Sequence, residues 1–194
     1  MDINPVKIIT LVPPDARKDW LAQCVESVRI QEGIFQHCLI SCSDLYSGRK
    51  ETYQWAGRII CVDYDDWLEP GILVEIGKIS GPLVFTAPAP VSVSQIRRNS
   101  LTIHHLVAFN SSLVPESFYK EIESRGLQIH VDWLVKAYVA LKYGAIRSSL
   151  HGYNWRRHPE QFSFKNRGAY GKITQECIRL LAEVPVLEGF LVTN

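Results

Sequence analysis

Charge of either sign is almost absent in excess: 21 Lys and Arg stand against 20 Asp and Glu in 194 residues, a formal net charge of +1. Coating a nucleic acid or an anionic membrane by bulk electrostatics takes a larger imbalance, so any polyanion site has to be local. Long apolar runs are missing as well. The opening segment, MDINPVKIITLVPP, has one Lys ahead of a short apolar stretch that two prolines end. It reads neither as a signal peptide nor as a membrane span, and no later run approaches the roughly 20 residues a spanning helix needs. A soluble, cytoplasmic protein is expected. The sequence also lacks a CxxC pair. Its five cysteines, Cys24, Cys38, Cys42, Cys61 and Cys177, are odd in number and lie in or beside apolar runs. With only His37 near Cys38 and Cys42, that pattern argues against structural zinc and for buried thiols in a reducing compartment. Internal repeats, low-complexity tracts and a convincing interdomain linker are lacking too, and no Ser/His/Asp or Cys/His arrangement marks a covalent nucleophile.

What is present is globular: 46% hydrophobic and 21% charged residues, with 12 Gly and 10 Pro. A chain of this length buries roughly 70% of the surface its unfolded form exposes, enough for one sizeable core and a single domain over residues 1–194. Val6 to Val12 is β-branched and reads as a buried strand. From Asp15, a plausible N-cap, Trp20, Leu21, Cys24, Val25 and Val28 recur at helical spacing until Gly33. His37 to Ser41 is a second strand, so the first two strands should run parallel. Cys42 to Gly48 reads as a loop, Glu51 to Ala56 as a short helix, Arg58 to Val62 as a third strand and Ile72 to Ile79 as a short helix. Leu83 to Thr86 and the following APAPVSVS read as irregular or edge structure. Ile103 to Asn110 is another strand, followed by a helix near Pro115 to Arg125 with Ser112 as a candidate cap. Val131 to Tyr143 is a strong helix, with Trp133 in the core. Ala145 to Leu150 is a strand, Asn154 to Tyr170 is polar, basic and aromatic, and Thr174 to Ala182 is an amphipathic helix. Strands alternating with helices predict an α/β fold with a mostly parallel central sheet flanked by helices.

In an open α/β sheet, ligands bind beyond the carboxyl ends of the strands. Asp63, Tyr64, Asp65 and Asp66 follow an apolar strand directly, and alternation puts Asp63 and Asp65 on the same side while Asp66 turns with the loop. Three carboxylates in four residues repel unless something positive compensates them. A divalent cation such as magnesium or manganese suits such hard oxygen ligands. A solvated acidic turn is the competing reading of VDYDD alone.

The segment VDYDDWLEPGIL resembles the Asp-x-Asp-Asp motif of family 2 glycosyltransferases with the GT-A fold, a Rossmann-like single domain. IITLVPPDARKDWLAQCVESVRIQ is similar to that family's first strand, nucleotide-binding loop and first helix. HVDWLVKAYVALKYGAI is similar to its Glu-Asp-Trp helix, and HGYNWRRHPEQFS to its Tyr-x-x-Arg-x-His segment. The four occur in the family's order over residues 6–163.

The resemblance implies an inverting transfer of a sugar from a nucleotide-sugar donor, a UDP-sugar first among them, to a hydroxyl acceptor. Asp65 and His158 would hold a Mn²⁺ or Mg²⁺ ion, with Asp66 beside them, and Asp63 would meet the ribose or help fix the metal. Asp132 would be the catalytic base; as an alternative, it suits the N-cap of its own helix. Pro13, Asp15 and Arg17 lie where the family's first loop receives the base, Tyr64 sits within the acidic motif, and Arg49, Arg156 and Arg157 are candidates for the diphosphate. Residues 1–80 would then form the donor half, 81–170 the acceptor and catalytic half, and 171–194 a C-terminal helix and tail.

Several positions depart from the family pattern. Val131 stands where Glu is usual, the first loop is altered, Ser41-Cys42-Ser43-Asp44 replaces Asp-Asp-Gly-Ser, and the connection to the acidic motif is short, as if a strand were deleted. A non-catalytic nucleotide- or carbohydrate-binding module is therefore a second reading, and a metal-dependent hydrolase a third. Between Ala145 and Tyr170, Arg147, Arg156, Arg157, Lys165 and Arg167 face only Glu160. With Tyr153, Trp155, Phe162, Phe164 and Tyr170 interleaved, that stretch suits a diphosphate, or an acceptor such as modified DNA as well as a glycan or a protein.

Overall fold

The computed structural model describes residues 6–33, 35–53, 57–86, 91–98, 106–159 and 170–187. The continuous run VKIITLV forms β1 (Val6–Val12), and its apolar residues on both faces suit a central strand. It pairs in parallel with β2 (Phe35–Ser41) on one side and with β3 (Arg58–Cys61) on the other. Beyond β3 the sheet continues through β6 (Val107–Asn110), β5 (Leu83–Thr86) and β7 (Ile146–Ser148), giving the order β2-β1-β3-β6-β5-β7. Only β6 runs antiparallel to its neighbours. The expected mostly parallel α/β sheet is therefore present.

Strand alternation sorts the core into two layers. Ile9, Ile59, Leu83, Phe85, Val107 and Phe109 face one cluster, while Ile8, Ile60, Val84 and Ala108 face the other. Helices α2 (Leu45–Tyr53), α5 (Glu116–Ser124), α6 (Val131–Tyr143) and α7 (Tyr170–Glu183) contribute to the first cluster, with Ile96 of α4 (Val93–Arg98). Helices α1 (Lys18–Arg29) and α3 (Ile72–Lys78) contribute to the second. A separate ribbon joins β4 (Trp67–Leu68) to β8 (Tyr153–Asn154), antiparallel, with Trp67 opposite Asn154 and Leu68 opposite Tyr153. It draws the chain after β7 onto the acidic motif. No helix among the described residues is long and apolar enough to cross a membrane.

Several expectations need correcting. Leu83 to Thr86 is not irregular or an edge: all four residues are buried in a strand paired on both sides. The helix after the second strand begins at Leu45, inside the stretch read as a loop. Asp44 makes that start favourable, because its carboxylate accepts from Ser47 N and Ser47 Oγ, each at 2.8 Å. Residues 54–56, the end of the expected helix, lie outside the described residues. Part of APAPVSVS is helical, opened by a capping box in which Ser92 Oγ accepts from Gln95 N and Gln95 Oε1 from Ser92 N; residues 87–90 are outside the description. Asp15 does not cap α1. It is exposed in the turn closed by Ala16 N on Pro13 O, and Arg17 takes the cap position without a side-chain capping bond, its guanidinium going to Asp19 instead. Nor does Ser112 cap α5, whose cap position is Pro115; Ser112 instead donates to Asn110 Oδ1. The N-cap of α6 is His130, with Asp132 in the first turn. The strand before it covers 107–110, with 101–105 outside the described residues.

Gly48 shows how closely α2 sits on the sheet. A Cβ there would fall 2.8 Å from Cys42 Cβ and 3.3 Å from Leu11 Cδ2. In an exposed helix Gly→Ala stabilises by about 1 kcal/mol. Here the sign is expected to reverse, with Gly48→Ala lowering the denaturant midpoint by an equivalent of about 1–3 kcal/mol from overpacking. An unchanged or raised midpoint would show that α2 is free to move away from β1.

Candidate functional site

Strand β3 stays paired to β1 through Val62, whose N–H donates to Ile9 O at 2.9 Å, and then turns, closed by Asp66 N on Asp63 O at 3.0 Å. That turn gathers the acidic motif rather than splaying it. One carboxylate oxygen from each of Asp63, Asp65 and Asp66 lies within 4.8 Å of the others. Asp66 turns with the exit loop, as expected, and still joins the other two carboxylates.

Each carboxylate has its own partner from elsewhere in the chain. Asp66 is almost fully buried and accepts from Tyr153 Oη at 2.5 Å and from Arg156 N at 2.9 Å. Burial, and then the charges of Asp63 and Asp65, push its pKa up to about 8 against the pull of those hydrogen bonds. Asp65 lies 2.8 Å from His158 Nε2, with the two side chains 13% and 10% exposed. Its pKa is raised by burial and by Asp63, and the histidine opposes the shift. Nδ1 of His158 is buried without a hydrogen-bond partner among the described residues. Asp63 Oδ1 meets Arg49 Nη2 at 3.1 Å.

Arg49 then reaches Asp132 at the start of α6. Its Nη1 is 2.6 Å from Asp132 Oδ1, an atom that also receives Tyr53 Oη at 2.5 Å and Lys136 Nζ at 2.8 Å. Arg49 and Tyr53 are four residues apart on α2, and Asp132 and Lys136 four apart on α6, so each helix offers both groups on one face. Burial opposes the charge on Arg49, yet Asp132 and Asp63 together hold its pKa well above the ordinary range.

Arg156 donates through Nε to Asp65 O at 2.8 Å and through Nη2 to Gln23 Oε1. Its guanidinium lies 5.0 Å from the ring centres of both Trp20 and Trp67. Trp20 was expected on the apolar face of α1; it is half-buried at the site instead, with the His158 ring 4.5 Å away and the Arg17 guanidinium at 4.1 Å. The structure thus brings Asp63, Asp65, Asp66, Arg156 and His158 together and links them to Asp132 through Arg49 and to Arg17 through Trp20. Tyr64 is half-buried within the acidic turn, while Arg157 is exposed and stacks on Trp155 at 5.1 Å. Asp15 is exposed and Pro13 supplies the carbonyl of its loop's turn. Sequence reasoning missed Trp20, Tyr53 and Lys136 as members of the site and read Tyr153 only as one of the interleaved aromatics; the i, i+4 pairing of Lys136 with Asp132 was the available signal.

The donor set fits a hard divalent cation. Octahedral ligands at about 2.1 Å from a metal stand about 3 Å from their neighbours, close to the Asp65 Oδ2 to His158 Nε2 separation of 2.8 Å. Asp63 and Asp66 each bring one carboxylate oxygen within 4.8 Å of an Asp65 oxygen.

No protein-family model and no curated protein sequence matches the chain. Among solved structures it is similar to two of TarS from S. aureus, a staphylococcal glycosyltransferase. Against TarS 1-349 the TM-score is 0.58 at 10% identity, covering 95% of this chain and 67% of that one. The fold is GT-A-like. Against the longer TarS structure the TM-score is 0.57, again at 10% identity, and this chain spans 41% of its length. Within the GT-A-like frame, the acidic motif leaves the carboxyl end of β3, beside the loop that leaves β1, where open parallel sheets bind ligands.

Asp66 supplies a direct test of how the ribbon is held. Asp66→Asn keeps an acceptor for Arg156 N and a donor for Tyr153 and should retain the wild-type melting temperature near pH 6. Asp66→Ala should cost about 1–3 kcal/mol by orphaning both partners. The folded pKa of about 8 lies above the ordinary value of 3.8, so the folded state holds the proton more tightly. Stability without a cation should therefore fall as pH rises from about 4 to 8, and the fall should be smaller in Asp66→Asn. Thermal melts across that range in EDTA decide it; equal slopes in the two proteins would contradict the assignment.

Proposed function

We propose that the chain is a metal-dependent, inverting glycosyltransferase resembling family 2, moving a sugar from a nucleotide-sugar donor, a UDP-sugar first, to a hydroxyl acceptor. The observation that carries this reading is the Asp65–His158 contact, made by residues 93 apart in sequence at the end of β3 on a GT-A-like frame. A Mn²⁺ or Mg²⁺ ion held by Asp65 and His158, with Asp66 beside them, would neutralise the departing diphosphate. Asp63 and Tyr64 would orient the nucleoside, Pro13, Asp15 and Arg17 would line the base side, and Arg157 together with Arg49 and Arg156 would supply positive charge towards the phosphates. Asp132 would take the proton of the acceptor hydroxyl as it attacks the anomeric carbon.

In this reading residues 1–80 serve the donor, 81–170 the acceptor and catalysis, and 171–194 close the single domain. The acceptor is a glycan, a protein or a hydroxylated DNA base, met by the basic and aromatic segment after β7, and the enzyme acts in the cytoplasm.

The test is binding of a panel of labelled nucleotide sugars to the purified protein with Mn²⁺ or with EDTA. One donor should bind with Mn²⁺ and be released by EDTA. Asp132→Asn should keep that binding and lose about 10²–10⁴-fold in turnover, the usual contribution of a general base. Failure of every nucleotide sugar to bind with Mn²⁺ sinks the reading, and binding with full function in Asp132→Asn would leave a binding module instead.

A further inference from the structure

The one side chain that touches both the acidic cluster and Asp132 is, among the contacts described, that of Arg49. It is 14% exposed, and its two terminal nitrogens go to different carboxylates: Nη2 to Asp63 Oδ1 at 3.1 Å and Nη1 to Asp132 Oδ1 at 2.6 Å. These come from the end of β3 and the first turn of α6, 69 residues apart by their numbers. A guanidinium is planar and rigid, so its two nitrogens cannot follow two carboxylates independently. Its backbone is equally constrained: α2 is pressed against Cys42 and Leu11 at Gly48, the residue just before Arg49.

From this geometry we infer that Arg49 is a positioning residue that couples cation occupancy of the acidic cluster to the placement of the Asp132 carboxylate. A divalent cation beside Asp63 competes with the guanidinium for the negative charge there. Whatever Arg49 loses at Asp63 shifts its attraction towards Asp132, and the rigid fork turns that shift into a reorientation of the Asp132 carboxylate. Tyr53 and Lys136 hold the same oxygen from the α2 and α6 sides, so the adjustment is a rotation about an anchored atom rather than release of the carboxylate. The donor side of the site would then report its loading to the acceptor side through one residue. This inference rests on the proposed cation site, and it concerns a link that needs neither donor nor acceptor to be observed.

The experiment is titration of Mg²⁺, which is diamagnetic, into the full chain labelled with ¹³C at the aspartate carboxyls, the signals being assigned by single Asp→Asn variants. In the wild type the Asp63, Asp65 and Asp132 signals should shift along one binding curve. In Arg49→Gln the Asp63 and Asp65 shifts should persist and the Asp132 shift should be lost. Arg49→Lys keeps a buried positive charge, which guards against failure to fold, but offers no fork; the Asp132 shift should be lost there too. An Asp132 response retained in either folded variant overturns the coupling. So does a wild type in which Asp63 and Asp65 respond and Asp132 does not, an outcome that leaves the cation site standing. Silence at all three overturns the cation site and the coupling together.

Discussion

Placing three carboxylates on one four-residue turn and burying two of them sets two costs against each other. Removing Asp66 and Asp65 from water disfavours their charged forms, and their mutual repulsion grows as the surroundings become less polar. The fold answers with donors brought from a distance. Tyr153 Oη and the Arg156 N–H serve Asp66, His158 serves Asp65, and Arg49 serves Asp63. The β4–β8 ribbon is the means by which three of these arrive, since it pairs the residues just after the acidic motif with those just before Arg156. The same pairing that desolvates the carboxylates delivers the groups that satisfy them, so ribbon and site stand or fall together.

Trp20 gives the ribbon a second hold on the body of the molecule. Its ring packs against His158 and has the guanidiniums of Arg17 and Arg156 over it, while Arg156 also lies over Trp67. Cation–π contacts of this kind are worth about 0.5–2 kcal/mol each, the larger values when water is excluded. Arg156 is therefore fixed by its backbone N–H, its Nε and two aromatic rings, which places it at the boundary between holding the site together and meeting a ligand.

The legibility of these features in the sequence follows how local their causes are. Helix α6 runs from Val131 to Tyr143 as its apolar residues predict, because periodicity and the following Gly144 are both local signals. Strand β5 was hidden between Pro82 and the prolines at 88 and 90; what makes it an interior strand is pairing with β6 and β7, which its own residues cannot reveal. Helix α2 began six residues early because the Asp44–Ser47 cap outweighed the loop-like composition of CSDLYSG. That displacement matters for the site. Arg49, in the short connection of the sequence reading, lies on a helix with Tyr53 one turn later and faces Asp132 and Asp63. The convergence on Asp65 of a histidine 93 residues away was legible only through family resemblance, since nothing in the spacing of the residues themselves implies it.

Asp132 carries the remaining physical tension. Three donors, two of them cations, meet on one of its carboxylate oxygens. They hold that oxygen in place. A general base contributes about 10²–10⁴-fold, whereas a misplacement of about 1 Å at a reacting group can cost about 10²-fold. In the proposed reaction the acceptor hydroxyl is far less acidic than any carboxylic acid, so its proton would leave only as the new bond forms. Orientation is required from the outset. A network that fixes this carboxylate in place suits the proposed role of Asp132, in which its position relative to the acceptor oxygen would decide the rate.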